Sequence, residues 1–284
     1  MTTTSDRPPL GILAGGGHLP SRVAAAAEAA GRPVFIVALE GFADVGLLAA
    51  FPHATARIGA AGRILQLLRD NAVRDLILIG PVRRPSLLDL RPDATATKLL
   101  ARVGRAAFAG DNSLLSAVIK VLGEEGFNII GAHEILTESQ APPGLLTRTA
   151  PDAQAMADIT RGIAVTRALG AVDVGQACVV QMGLVLCVEA IEGTDAMLAR
   201  AGGLHRNGLG GVLVKLVKPS QERRADLPTI GPSTVEHATA AGLRGIAFEA
   251  QGTLVLERER TVATADQAGF FLLALAPADV MGRD

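Results

Sequence analysis

From Lys215 to Gly231 the chain reads Lys-Leu-Val-Lys-Pro-Ser-Gln-Glu-Arg-Arg-Ala-Asp-Leu-Pro-Thr-Ile-Gly, a run of cations, carboxylates and stiff turn residues. The chain's lysines are Lys98, Lys120, Lys215 and Lys218, so half of them fall here, beside Arg223, Arg224 and Asp226. Such a mixture suits phosphate handling. Lys and Arg neutralise phosphate charge, and a carboxylate among cations stays ionised, fit to hold a metal ion or to orient a metal-bound water. Asp226 is the sharpest candidate, because Pro228 confines its neighbour Leu227 to extended backbone and stiffens the segment. The competing reading of Asp226 is a structural salt bridge to Arg224.

A second constellation, Val188-Glu-Ala-Ile-Glu-Gly-Thr-Asp-Ala-Met197, spreads Glu189, Glu192, Thr194 and Asp195 over a strand end, a glycine turn and a helix start. Carboxylates and a hydroxyl suit Mg²⁺, which takes oxygen ligands and keeps several waters. Equally, Thr194 or Asp195 caps the helix, the commonest use of those residue types at that position. Near the N-terminus, Gly15, Gly16, Gly17 and His18 join a strand to a helix, a turn that lets backbone N–H groups approach a phosphate. Gly15 and Gly17 open a dinucleotide fingerprint whose third glycine falls at Pro20, with Glu40 where a ribose-binding acid stands. The alternative is a plain connecting turn. Arg83 or Arg84, leaving the carboxyl end of a strand, is a further phosphate candidate, and Asp111 is either a ligand or a helix cap. His18, His53, His133, His205 and His237 lack zinc-ligand spacing, and neither a Walker motif nor a nucleophile elbow occurs.

These residues need elements to carry them. Apolar runs at 10–14, 34–39 and 76–80, with helical patterns at about 19–30 and 63–71 between them, predict parallel strands covered on both faces. Helical pattern continues at about 97–108 and 112–124, followed by a short strand at 127–130. Pro142, Pro143, Gly144 and Pro151 then mark a linker over 137–151. The expected organisation is an α/β chain: a Rossmann-like parallel-sheet domain over 1–136, then an α+β catalytic domain over 152–284. In the second, helices are expected at about 153–169, 195–200 and 234–241, the last with a capping box of Ser233 and Glu236. A hairpin turning at Met182-Gly183 is expected to set Cys178 opposite Cys187.

The chain has 284 residues, enough for two domains of about 100–150 residues each. Its 27 basic and 28 acidic residues balance, which disfavours a nucleic-acid partner. Although 49% of residues are apolar, no run reaches the roughly 18 needed to cross a bilayer. Nor does an apolar segment precede the first strand, so a cytoplasmic protein with free thiols is expected.

Taken together, Ala14-Gly-Gly-Gly-His-Leu-Pro, Gly126-Phe-Asn-Ile-Ile-Gly-Ala-His-Glu, Asp173-Val-Gly-Gln, Glu189-x-x-Glu-Gly-Thr-Asp-Ala-Met-Leu and Lys218-Pro-x-Gln-x-Arg-x-x-Asp-Leu-Pro-Thr-Ile-Gly-Pro-x-Thr resemble one family. It is the LpxI-type UDP-2,3-diacylglucosamine pyrophosphatases of lipid A biosynthesis, and the likeness runs in order from about residue 10 to 276. The resemblance implies a hydrolase served by Mg²⁺ or another divalent cation, cleaving UDP-2,3-diacylglucosamine to UMP and 2,3-diacylglucosamine 1-phosphate. It also implies a dimer working in peripheral contact with the inner membrane of Gram-negative bacteria. By motif, Asp226 matches the family's essential aspartate, whereas Gln221-Glu222 departs from an expected Gln-Asp.

On this reading Asp226, with Glu189 or Glu192, holds the metal, while Lys215, Lys218 and Arg224 steady phosphates. Gly15, Gly16, Gly17, His18, Arg83, Asp111, Thr194, Asp195, Gln221 and Thr229 are the further substrate-binding candidates. An NAD(P)-dependent oxidoreductase, from the glycine turn and Glu40, and a non-catalytic nucleotide or lipid carrier stand as alternatives.

Overall fold

The computed structural model of the chain describes residues 7–83, 90–104, 111–219 and 221–280. The candidate Arg84 and the side chains of residues 111 and 112 lie outside that description, as does the far end of the helix expected at 97–108. The chain divides into two units, one of Met1–Leu136 with Glu222–Asp226, the other of Thr137–Gln221 with Leu227–Asp284.

The first unit runs β1 (Leu10–Ala14), α1 (Leu19–Ala29), β2 (Val34–Leu39), α2 (Val45–Leu48), β3 (His53–Ala56), α3 (Ala61–Asp70), β4 (Asp75–Ile79), α4 (Ala94–Val103), α5 (Asp111–Glu124), β5 (Asn128–Ile129) and α6 (Ala132–Ile135). Its strands form one parallel sheet in the order β3-β2-β1-β4-β5, the Rossmann-like arrangement. Continuous apolar strands follow from cover on both faces. Ile12, Ile36 and Ile77 pack with Val23 and Ala27 of α1, whereas Phe35, Val37 and Leu76 pack with Leu65 and Leu68 of α3 and Ile119 of α5. Pro20 opens α1, and Gly31 at φ +73° closes it, donating to the Glu28 carbonyl at 2.8 Å. Helix α4 begins earlier than the pattern suggests, because Asp93 caps it by accepting from the Ala96 N–H at 2.6 Å.

The second unit runs β6 (Gly144–Leu145), α7 (Ala153–Ala171), β7 (Ala177–Gln181), β8 (Leu184–Val188), α8 (Gly193–Gly202), β9 (Gly211–Lys215), β10 (Thr229–Ile230), α9 (Pro232–Ala240), β11 (Leu243–Glu249), β12 (Leu254–Val255), α10 (Arg258–Gln267), β13 (Phe271–Leu275) and α11 (Pro277–Val280). A mixed sheet has the order β6-β13-β11-β9-β7-β8, and β10 pairs with β12 in a small second sheet. Strands β9, β11 and β13 are mutually parallel, linked through α9 and α10. The second half therefore contains βαβ crossovers that its sequence pattern does not announce, flanked by antiparallel strands β6, β7 and β8. Residues 137–151 belong to this unit: Thr137–Ser139 form a 3₁₀ turn, and β6 pairs antiparallel with β13.

Two sequence expectations are corrected here. The hairpin carries a bulge between Val179 and Val180, so Cys187 opposes Val179 and Cys178 opposes Val188. The cysteines face opposite sides of the sheet, Cys178 toward α7 and Cys187 toward α8, and both are free thiols. Likewise, α9 is capped at Gly231, whose N–H donates to Thr234 Oγ1 at 3.2 Å; the Ser233–Glu236 spacing lies inside the helix. Among the described residues, no helix is long and apolar enough to cross a membrane.

Candidate active site

The ladder of the mixed sheet of the second unit assembles the site. Strands β8, β7 and β9 lie side by side, Ala177 pairs with Lys215, and the Glu189 N–H donates to the Ala177 carbonyl at 2.8 Å. Glu189, Ala177 and Lys215 thus form a row across the strand ends. Along β9 the alternation of a strand sends Val212 and Val214 toward α7 and Leu213 toward α8, so Lys215 leaves on the α8 side. That helix carries Thr194 in its first turn.

There Lys215 Nζ donates to Thr194 Oγ1 at 2.9 Å and to the Thr229 carbonyl at 3.1 Å. Thr194 in turn donates to Glu189 Oε1 at 2.6 Å, and the Gln176 N–H donates to Glu189 Oε2 at 3.2 Å. A side chain at residue 175 would fall 2.0 Å from the Glu189 carbonyl oxygen, so Gly175 is what lets the two segments pass. From Gln176 the network continues: its Oε1 accepts from Gln221 at 3.2 Å, and Gln221 Oε1 accepts the Lys218 N–H at 2.9 Å. Lys218 Nζ pairs with Asp173 at 2.6 Å. Lys215, Glu189 and Gln221 are 5%, 6% and 8% exposed. Burying such groups is unfavourable unless they are hydrogen-bonded, and here Thr194, Gln176, Lys218 and the Thr229 carbonyl supply the partners.

The sequence candidates therefore separate. Glu189, Thr194, Lys215, Lys218, Gln221 and Thr229 join one network, with Thr229 contributing its carbonyl. Thr194 does not cap α8, whose N-cap is Glu192 without a side-chain cap bond. Glu192 pairs with Arg200, and its own backbone amide and that guanidinium hold its carboxyl below the usual carboxylate range. Asp195 is exposed and meets His237 Nδ1 at 3.1 Å.

Asp226 and Arg224 lie in the Glu222–Asp226 segment of the first unit, where Ala225 packs against the core of α3 and α5. Glu222 grips Arg224 with both oxygens, at 2.8 Å to Nε and 2.7 Å to one terminal nitrogen. The grip holds the Glu222 carboxyl down and pushes the Arg224 guanidinium up. The acid that departs from the expected motif thus engages Arg224, the cation proposed to bridge Asp226. The Asp226 N–H donates to the Glu222 carbonyl at 3.0 Å.

At the glycine turn, the Gly15 N–H donates to the Ile79 carbonyl at 2.8 Å and the Gly16 N–H to the Pro81 carbonyl at 3.0 Å. A side chain at residue 15 would lie 2.4 Å from the Gly80 oxygen. Two of the turn's amides and its smallness serve the approach of the β4 exit. Gly17 has φ +74°, and Gly17, His18 and Arg83 are exposed. Asp111 opens α5.

Asp173, Gln176 and Glu249 were not singled out individually by residue type. The first two were legible only as part of a short motif. Glu249, buried at the end of β11, accepts the Val217 N–H at 3.2 Å and so fixes the start of the Lys218 loop. An acid closing an apolar strand is the signal that would have found it.

Among the described residues, no three His, Cys, Asp or Glu side chains gather closely enough to hold a metal ion. Glu192 and Glu189 are already engaged as above. A site built from one carboxylate, substrate phosphate oxygens and water fits Mg²⁺ chemistry.

The fold and network define an α/β protein of two units that carries a buried Lys at the carboxyl end of the parallel strand β9 and a buried Glu just past the antiparallel strand β8. The LpxI N-terminal domain family matches residues 9–139, and the LpxI C-terminal domain family matches residues 142–273. The chain belongs to the LpxI family. It is 44% identical over 274 residues to the UDP-2,3-diacylglucosamine pyrophosphatase LpxI of Caulobacter vibrioides, covering 94% of this chain and 98% of that relative.

Proposed function

We propose that this chain hydrolyses the pyrophosphate bond of UDP-2,3-diacylglucosamine, giving UMP and 2,3-diacylglucosamine 1-phosphate, a step of lipid A biosynthesis. The observation that carries the reading is the convergence of separate LpxI-like segments, around Asp173, Glu189 and Lys218, on one network with the buried Lys215. Cleaving a phosphoanhydride is mostly positioning plus neutralisation of phosphate charge, which cations held in place supply without reorganising. Lys215 and Lys218 steady phosphate oxygens, with Gln221 and Asp173 holding Lys218 in place. Asp226 orients the attacking water and, with substrate oxygens, would hold a divalent cation, Mg²⁺ foremost. That ion, when bound, supplies further charge neutralisation.

In this reading the enzyme works in the cytoplasm as a dimer, touching the inner membrane peripherally to reach its lipid substrate. Flotation with anionic vesicles tests the membrane contact, and sedimentation tests the dimer.

The first experiment is release of UMP from UDP-2,3-diacylglucosamine by the purified protein, with Mg²⁺ and with excess EDTA. Release that EDTA abolishes supports the hydrolase and its metal. Release in both conditions removes the metal requirement alone, and none in either, from folded protein, overturns the assignment. Asp226→Ala is expected to lower turnover by orders of magnitude while the circular dichroism spectrum and melting temperature stay put.

A further inference from the structure

We infer that Glu189 and Thr194 are positioning residues for Lys215, with Glu189 acting through the Thr194 hydroxyl and not on a metal ion. What Lys215 does for the reaction rests on the reading above; how it is held does not.

Donor and acceptor chemistry fixes the direction of the chain. An ammonium only donates, so Thr194 Oγ1 and the Thr229 carbonyl must both accept from Lys215 Nζ. The Thr194 hydroxyl has one proton, and it goes to Glu189 Oε1 at 2.6 Å. A carboxylate only accepts, and its other oxygen receives the Gln176 N–H. Glu189 thereby sets the rotation of the hydroxyl and turns its lone pairs toward Lys215. Threonine is stiff about its first torsion, so the pointing is reproducible.

The backbone makes the arrangement rigid. Glu189, Ala177 and Lys215 lie in one row of ladder hydrogen bonds, and Gly175 leaves no slack beside Glu189. Interposing a hydroxyl also matters electrostatically. Coulomb attraction falls with separation, so a carboxylate reached through Thr194 quenches the ammonium less than one in direct contact would. The ammonium is aimed by its two oxygen acceptors, which a phosphate-binding group requires. Both Glu189 oxygens face protein donors, which suits this task better than metal ligation.

The test uses the full-length protein and two readouts. With only four lysines, lysine labelled at ¹³Cε gives few resonances, and Lys215→Met assigns that of Lys215. In metal-free protein without substrate, Thr194→Val is expected to shift the Lys215 resonance and Thr194→Ser to restore it. In UMP release, Thr194→Val should lower kcat roughly 10- to 100-fold, the range for indirect partners of a site, with KM little changed. Glu189→Gln, whose amide oxygen still accepts from Thr194, should lose less than Thr194→Val. It should also leave the Mg²⁺ concentration for half-maximal rate where it was.

An unmoved Lys215 resonance in a folded Thr194→Val protein overturns the inference. So does a Glu189→Gln variant that loses more than Thr194→Val and needs more Mg²⁺, the behaviour of a ligand. If the wild-type protein releases no UMP, the hydrolase reading falls, and the resonance arm still decides how Lys215 is held.

Discussion

The two strand-to-loop exits that look richest in chemistry spend their polar groups differently. At the glycine turn after β1, the Gly15 and Gly16 amides bond to backbone carbonyls, and the glycines are small because the β4 exit passes against them. At the ends of β7, β8 and β9, the side chains of Lys215, Thr194 and Glu189 bond in series, and Gln221 bonds to Gln176 beside them. A backbone turn is required by the fold whether or not anything binds. A buried Lys–Thr–Glu relay is not, since an apolar filling would stabilise the same strand ends at no desolvation cost. The contrast therefore separates a motif that architecture explains from one that it leaves to function.

The largest expected effect is at the relay. Lys215→Met keeps the length and apolar stem but removes the charge, and should cut UMP release roughly 100-fold or more, the scale of losing one preorganised charge-stabilising group. Retained turnover would reduce the relay to a structural feature and erase the contrast.

Next is the sheet beneath the relay. Burial pushes the Cys178 thiol from 9.0 up to about 11, with Thr166 pulling slightly the other way. Because the folded value is raised, the unfolded chain ionises first. The contribution is full below about pH 9 and is lost as pH rises through about 11, on the order of 2–3 kcal/mol. Urea denaturation across that window should show the slope, and Cys178→Ala should flatten it. Neither cysteine should react with a thiol reagent until the protein unfolds.

Gly15→Ala probes the other side of the comparison. Its added carbon meets the fixed Gly80 carbonyl, so stability should fall by about 1–3 kcal/mol in thermal or urea melts. Turnover per folded molecule should be kept, since the Gly15 and Gly16 amides are spent on backbone carbonyls. A variant that melts normally but fails to bind UDP-sugar would restore the turn as a ligand site. The smallest effect is expected at Glu222. Losing its exposed-side grip on Arg224 by Glu222→Gln should cost under about 1 kcal/mol in the same melts.

Much of this was legible from residue order. The apolar runs of β1, β2 and β4, the opening proline and closing glycine of α1, and the hairpin at Met182-Gly183 follow from local rules. Other features were not, because they depend on partners distant in sequence. One extra residue in β8 breaks the Cys178–Cys187 register, and strand pairing alone reveals the bulge. The parallel run of β9, β11 and β13 was hidden because short strands β10 and β12 interrupt the crossovers. The cap of α9 moved to Gly231 because Thr234 reaches back to it, a bond that the Ser233–Glu236 spacing obscured.

By itself the sequence determined a parallel α/β first unit, a mixed second unit, balanced charge, and the residue types able to handle phosphate, through periodicity, turn chemistry and motif. Only the tertiary structure decided which of those residues work together. Glu189 and Lys215 are far apart along the chain, yet three adjacent strands bring them into one row, with Thr194 supplied by the helix packed above. Glu192 and Asp195, neighbours of Glu189 in sequence, were turned to Arg200 and His237 instead. The physical reason is that a local pattern sets how a segment folds, whereas hydrogen-bond partners are set by the register of strands that the chain must travel far to pair.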